Sequence, residues 1–171
     1  MKVQVQLLSK SHIRTGFECG KALLDNYIRT QASQDVKRDL SACYVMTEEG
    51  NTLVFGYYTL SSNSIERTLF PANMIARLPP SYGDLPTILL GRLALDKRMH
   101  GKRLGEYLLI HALNRCVEVS QTIGALAVVV DPIDEQAEEF YSSYGFIFLP
   151  GSKKMFMAIK TIEESIPVIG K

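Results

Sequence analysis

The sequence predicts an α/β protein built on a mixed, mostly antiparallel sheet of six or seven strands, with helices on both faces. Three observations predict it. Short strand-like stretches crowd the first part of the chain, two of them joined by the turn Glu48-Glu-Gly-Asn51. A strand, a glycine-bearing turn and an amphipathic helix then run through residues 87–121 and lead into a second apolar strand, the order of a parallel crossover unit. A further helix and two short closing strands follow. Neither an internal repeat nor a linker interrupts the chain, so residues 1–171 read as a single domain.

Residues 2–8 alternate apolar and polar side chains as a first strand. Residues 20–39 read as helix, in two short pieces, with Ala22, Leu23, Tyr27 and Ile28 on an apolar face. Residues 41–47 form a strand, and the turn at 48–51 returns the chain into a long strand from Thr52 to about Ser62. Pro71, Pro79, Pro80 and Pro86 make the next stretch mostly loop, with a short helix near 71–77. Residues 87–95 have few polar breaks and suit a central strand. Leu104, Leu108, Leu109, Ala112, Leu113, Cys116 and Val117 recur at helical spacing, which gives a helix over about 102–121, stopped by Gly124. Residues 125–130 are a buried strand, and 133–143 a helix ended by Gly145. Residues 146–149 and 154–159 close the sheet as a hairpin.

The composition excludes several classes. The net charge of +1 gives no general pull toward nucleic acid. The apolar runs are far shorter than the roughly 20 residues of a membrane helix. The N-terminus lacks an apolar stretch with a cleavage site, so no secretory signal is expected, and a cytoplasmic protein without membrane attachment is. Cys19, Cys43 and Cys116 stand far apart without zinc spacing and read as free thiols; no metal is expected.

Charge is local instead: Lys97, Arg98, His100, Lys102 and Arg103 surround the turn His100-Gly-Lys-Arg-Leu-Gly105 between strand and helix. A helix N-terminus presents unpaired N–H groups and a partial positive charge, both of which attract phosphate oxygens. Glycines let the backbone approach an anion, and basic side chains add charge-assisted contacts. The turn is therefore a candidate diphosphate cradle, with a solvated basic loop as the plain alternative. A P-loop and a dinucleotide-binding GxGxxG are both excluded by the spacing.

The run from Leu90 to Gly105, LGRLALDKRMHGKRLG, resembles the central motif of the GNAT acetyltransferase superfamily. Ala137 to Phe146, AEEFYSSYGF, resembles the motif that follows it there. Phe17 to Gly20, Leu24 to Ile28, Gly56 to Ser61 and Gly91 to Asp96 extend the resemblance over nearly the whole chain. They narrow it to the acetyltransferase toxins of bacterial type II toxin–antitoxin modules. The resemblance implies a GNAT fold, acetyl-CoA as cosubstrate, the α-amino group of aminoacyl-tRNA as acceptor, and a consequent block of translation. It also implies a ribbon-helix-helix antitoxin as partner and a possible homodimer.

By the same resemblance, Leu93, Ala94 and Leu95 run beside the pantetheine arm, with plain side-chain burial as an equally good account of their identity; a backbone N–H there can polarise the thioester carbonyl. Arg98, His100, Gly101, Lys102, Arg103, Leu104 and Gly105 hold the pyrophosphate. Tyr141 protonates the departing thiolate, with a packed tyrosine as its plain alternative; Tyr144 reads as structural. Two positions depart from the motif: His100 stands where Arg or Gln is usual, and Arg103 where a glycine is. Arg103 there carries a Cβ cost on the order of 1 kcal/mol if its φ is positive. Arg29, Lys37, Arg38 and Arg92 are candidate RNA contacts. For the first three a solvated helix face is the default, and Arg92, inside an apolar strand, needs a partner, either a carboxylate or RNA. Asp134 suits a helix cap better than a metal ligand. No dedicated base stands out, and an α-amino group with pKa about 7.7–8.0 is already partly neutral at cytosolic pH. Two other readings stay open: a GNAT acting on a small amine or protein N-terminus, and a non-catalytic CoA-binding interaction module.

Overall fold

A computed structural model describes residues 1–166; residues 167–171, which the single-domain reading includes, lie outside the described part. The strands are β1 (Val3–Leu7), β2 (Ala42–Glu48), β3 (Gly56–Glu66), β4 (Asp84–Leu95), β5 (Ala127–Val130), β6 (Ile147–Phe148) and β7 (Met155–Ala158). They form a seven-stranded sheet in the order β1-β2-β3-β4-β5-β7-β6. β1 with β2, β2 with β3, β5 with β7 and β6 with β7 are antiparallel, and β4 with β5 is parallel. The mixed, mostly antiparallel sheet expected from the sequence is the sheet observed. The helices are α1 (Ala22–Asn26), α2 (Ala32–Lys37), α3 (Ala72–Ile75), α4 (Leu104–Ile123), α5 (Glu135–Ser143) and α6 (Ile159–Ser165).

The chain packs as two units. The first comprises Met1–Ser61 and Gly91–Ala112, the second Ser62–Leu90 and the chain from Leu113 onward. Each has its own apolar centre. In the first, Phe17, Tyr27, Ile28, Val45, Val54, Tyr57 and Ala94 pack together. In the second, Ile65, Phe70, Leu85, Val129, Leu149 and Phe156 do so.

Several element bounds differ from the sequence reading, each for a local reason. β3 begins at Gly56, not Thr52, because Ile13 captures the chain first: its N–H donates to the Thr52 carbonyl and its own carbonyl accepts from Val54. Glycine suits the start of β3, since a Cβ added at Gly56 would lie a tight 3.3 Å from the Met46 Cβ. Between α1 and α2 lies a π-helical turn, Tyr27–Gln31, in which the Ala32 N–H reaches back to the Tyr27 carbonyl. Tyr27 and Ile28 are buried as expected, whereas Ala22 and Leu23 are exposed. The buried Asp25, whose carboxylate accepts from the Cys19 N–H at 2.7 Å, turns inward in their place. The last strand stops at Ala158, because Ile159 and Ile162 bury one face of α6 at helical spacing.

Candidate active site

Leu108, Leu109, Ala112, Leu113 and Cys116 are all buried along α4, so the apolar stripe read from the sequence fixes this helix and with it the position of its N-terminus. The Arg103 carbonyl accepts the N–H of Tyr107 at 3.1 Å, which makes Arg103 the residue that caps the helix. The N–H groups of Leu104, Gly105 and Glu106 precede that bond and have no acceptor within the helix. Gly101 has φ +79° and Arg103 φ +56°. Two left-handed residues so close together fold the backbone into a tight turn whose amides can converge on an anion. A Cβ added to Gly105 would meet nothing within 4 Å, so space remains over the first helical turn. Lys102 and Arg103 are exposed. This arrangement fits a diphosphate group.

The rest of the basic cluster is held internally. The Asp96 carboxylate, which has no exposed surface, accepts from the Arg98 N–H at 2.9 Å and from Arg98 Nε at 2.8 Å and Nη2 at 2.9 Å. It also accepts from the Glu18 N–H at 3.0 Å. Burial alone would raise the Asp96 pKa, but these donors outweigh it and hold the carboxyl at about 2. Lys97 pairs with Glu18, Nζ to Oε1 at 2.6 Å, and its N–H donates to the Glu18 carbonyl. The His100 ring donates from Nε2 to the Leu95 carbonyl at 3.0 Å, so that N–H is not the phosphate donor the sequence suggested. Of the basic side chains expected at the pyrophosphate, Lys102 and Arg103 are left facing outward, while Arg98 and His100 brace the turn.

Leu93, Ala94 and Leu95 end β4, with Ala94 buried and the two leucines half-buried. β5 stops at Val130, opposite Leu90, so Gly91–Leu95 run past its end. The guanidinium carbon of Arg92 lies 3.6 Å from the centroid of the Tyr27 ring, so an aromatic face stands where a carboxylate was one of the two partners expected. The Tyr27 hydroxyl donates to Asp35 at 2.9 Å. Burial first, and then that bond, push the Tyr27 phenol up to about 12 against the opposing charge of Arg92. Arg29 donates to the Phe17 carbonyl, and Lys37 and Arg38 are exposed where α2 ends.

Tyr141 and Tyr144 belong to the second unit, on and just after α5. Asp134 caps α5 as expected, accepting from the Ala137 N–H at 2.9 Å. The Tyr141 ring is buried and packs edge-on to Phe140 and Phe146, at centroid distances of 5.4 and 5.3 Å. Burial pushes its phenol well above the usual range, so it holds its proton. Cys43 and Cys116 are buried thiols raised to about 12 by desolvation, poor nucleophiles at neutral pH. Among the described residues no cluster of metal-ligating side chains occurs, and no helix is long and apolar enough to cross a membrane.

Asp96, the Glu18 N–H and Tyr27 were absent from the sequence reading of the site. A local signal existed for the first: an aspartate directly after an apolar strand, with arginine two residues on, can pair through its own turn.

No family model matches the chain. It is 34% identical over 136 residues to a tRNA-acetylating toxin of Mycobacterium tuberculosis (strain ATCC 25618 / H37Rv), covering 80% of this chain and 79% of that one. It is 33% identical over 159 residues to a probable toxin TacT of Sinorhizobium fredii (strain NBRC 101917 / NGR234), covering 88% and 87%. Among solved structures, a tyrosine-to-phenylalanine mutant of KacT superposes with TM-score 0.89 at 28% identity, over 96% of this chain and 99% of that one. AtaT complexed with acetyl-methionyl-tRNAfMet gives 0.88 at 27%, over 95% and 98%. A tyrosine-to-phenylalanine mutant of AtaT, bound to the C-terminus of the antitoxin AtaR and to acetyl-CoA, gives 0.81 at 25%, over 96% and 98%. The fold and the sequence agree, and the chain belongs to the family of tRNA-acetylating GNAT toxins.

Proposed function

We propose that this chain, as one domain over residues 1–171, transfers the acetyl group of acetyl-CoA to the α-amino group of an aminoacyl-tRNA in the cytoplasm. Translation stops as a result, and a ribbon-helix-helix antitoxin holds the activity in check. The observation that carries the reading is the open, basic turn capping α4, with left-handed backbone at Gly101 and Arg103. A relative complexed with acetyl-methionyl-tRNAfMet supports the acceptor, and one bound to both antitoxin and acetyl-CoA supports the partner and cosubstrate.

The residues divide the work by their chemistry. The amides of Gly101 to Gly105, with Lys102 and Arg103, take the diphosphate. Backbone amides at Leu93 to Leu95 lie along the pantetheine arm and stabilise charge on the thioester oxygen. The incoming amine is neutral in useful fraction near pH 8 and attacks without a dedicated base. Tyr141, kept protonated by burial, gives its proton to the leaving thiolate, and the proton shed by the attacking nitrogen restores the phenol. Arg29, Lys37 and Arg38 offer charge to RNA phosphates, and Arg92, set against Tyr27, faces the acceptor.

Induction of the chain in growing cells tests this. Arrest of translation that Tyr141→Phe relieves, and that co-expression of the ribbon-helix-helix partner suppresses, is the expected result. Unaffected translation alongside acetylation of a polyamine or peptide would favour the small-amine reading.

A further inference from the structure

We infer that Asp96 is a positioning residue for acetyl-CoA: it clamps the basic turn through Arg98 and fastens it to the segment that enters α1. The inference rests on the reading of that turn as the diphosphate site.

The fully buried carboxylate carries four hydrogen bonds, three of them from Arg98 and one from Glu18. The two side-chain bonds from Arg98 are a two-pronged charge-assisted pair, the strongest geometry open to a carboxylate. They fix the 3-10 turn Lys97–Met99, which leads directly into His100 and Gly101. The bond from Glu18 joins that turn to a segment 78 positions earlier in the chain. Two further bonds, from Lys97 N–H to the Glu18 carbonyl and from Lys97 Nζ to Glu18 Oε1, double the fastening. On either side of Glu18, the Phe17 carbonyl accepts from Arg29 and the Cys19 N–H donates to Asp25, Arg29 and Asp25 both lying in the helical stretch after Gly20. One carboxylate thus sets the approach to the diphosphate amides and anchors the stretch that carries Arg29. A preformed cradle costs less ordering when the ligand binds, so loosening it weakens affinity before it touches chemistry.

The test is acetyl-CoA binding by calorimetry on the full chain, with KM and kcat on charged tRNA, for Asp96→Asn, Arg98→Gln and Arg98→Lys. Losing charge-assisted bonds of this kind corresponds to about a ten-fold rise in Kd. KM for acetyl-CoA should rise with it, while kcat falls by less. Lysine keeps the charge but not the fork, so Arg98→Lys should lose nearly as much as Arg98→Gln. The double variant Asp96→Asn/Arg98→Gln should lose no more than the worse single one, because both remove the same clamp. Arg98→Lys restoring wild-type affinity, or Asp96→Asn binding as tightly as wild type while Arg98→Gln does not, would make Arg98 a direct phosphate ligand and overturn the inference. Should Asp96→Asn fail to fold, the contrast between the lysine and glutamine variants of the half-exposed Arg98 decides the matter. Failure of the unmodified chain to bind acetyl-CoA would instead refute the turn as the diphosphate site, and the inference with it.

Discussion

Arg92 sits over the Tyr27 ring, its guanidinium carbon 3.6 Å from the ring centroid, and Tyr27 in turn donates to Asp35. An arginine on an apolar strand is thereby accommodated without a carboxylate partner among the described residues. Cation–π contact of this kind contributes roughly 0.5–2 kcal/mol. Tyr27→Leu should therefore lower stability by about 2–3 kcal/mol, counting the lost hydrogen bond and packing. Tyr27→Phe should cost about 1 kcal/mol, since it keeps the ring and loses only the bond to Asp35. Urea titration of both variants measures the difference.

The buried Asp96 makes a pH-dependent contribution of definite sign. Its folded pKa of about 2 lies below the ordinary aspartate value. The stabilisation is therefore complete above about pH 4–5 and is lost as pH falls toward 2. Stability measured across pH 2–6 should show Asp96→Asn less stable than the wild type by on the order of 2 kcal/mol at pH 6, with the gap narrowing below pH 4. A gap that stays constant down to pH 2 would show that the carboxylate charge is not what the network holds.

Arg103 occupies a backbone conformation that costs a side-chain-bearing residue about 1–2 kcal/mol, with φ +56°. Arg103→Gly should raise stability by up to about 1 kcal/mol, because glycine's extra unfolded-state freedom offsets part of the relief. If the guanidinium grips the diphosphate, the same variant binds acetyl-CoA several-fold more weakly, and more weakly still at high salt. Thermal melts and calorimetry on Arg103→Gly and Arg103→Ala separate backbone relief from lost charge.

Tyr141→Phe should leave the buried ring packing against Phe140 and Phe146 intact and change stability by less than about 1 kcal/mol. Turnover should fall by about a hundred-fold or more, the usual contribution of a positioned general acid, with little change in KM for acetyl-CoA. Burial raises the phenol pKa, so its proton stays in place as pH rises and no basic limb from Tyr141 should enter the rate profile below about pH 10. The rate should climb toward pH 8 as the acceptor amine is deprotonated, then level off.

What could be read from the sequence was what local pattern dictates. The α4 stripe, its stop at Gly124 (φ +71°), the Asp134 cap and the positive φ suspected at Arg103 all follow from neighbours a few residues apart. The partners that complete the site lie far away in the chain, where periodicity carries no information. Tyr27 and Arg92 meet only in the folded unit, and so do Asp96 and the Glu18 amide. The late start of β3 has the same cause, since Ile13 takes the register that a simple hairpin would have given to β2. The basic cluster misled for a related reason: charge density in sequence did not distinguish Lys102 and Arg103, which face outward, from Arg98 and His100, which are spent on Asp96 and the Leu95 carbonyl.

The most direct test of the central claim is to incubate the purified chain with isotopically labelled acetyl-CoA and a mixture of charged and uncharged tRNAs, digest with nuclease, and identify the labelled product by mass spectrometry. Label is expected on the α-amino group of aminoacyl-adenosine, released only from charged tRNA and absent with Tyr141→Phe. Label on free amines or peptides, with none on aminoacyl-adenosine, would contradict it.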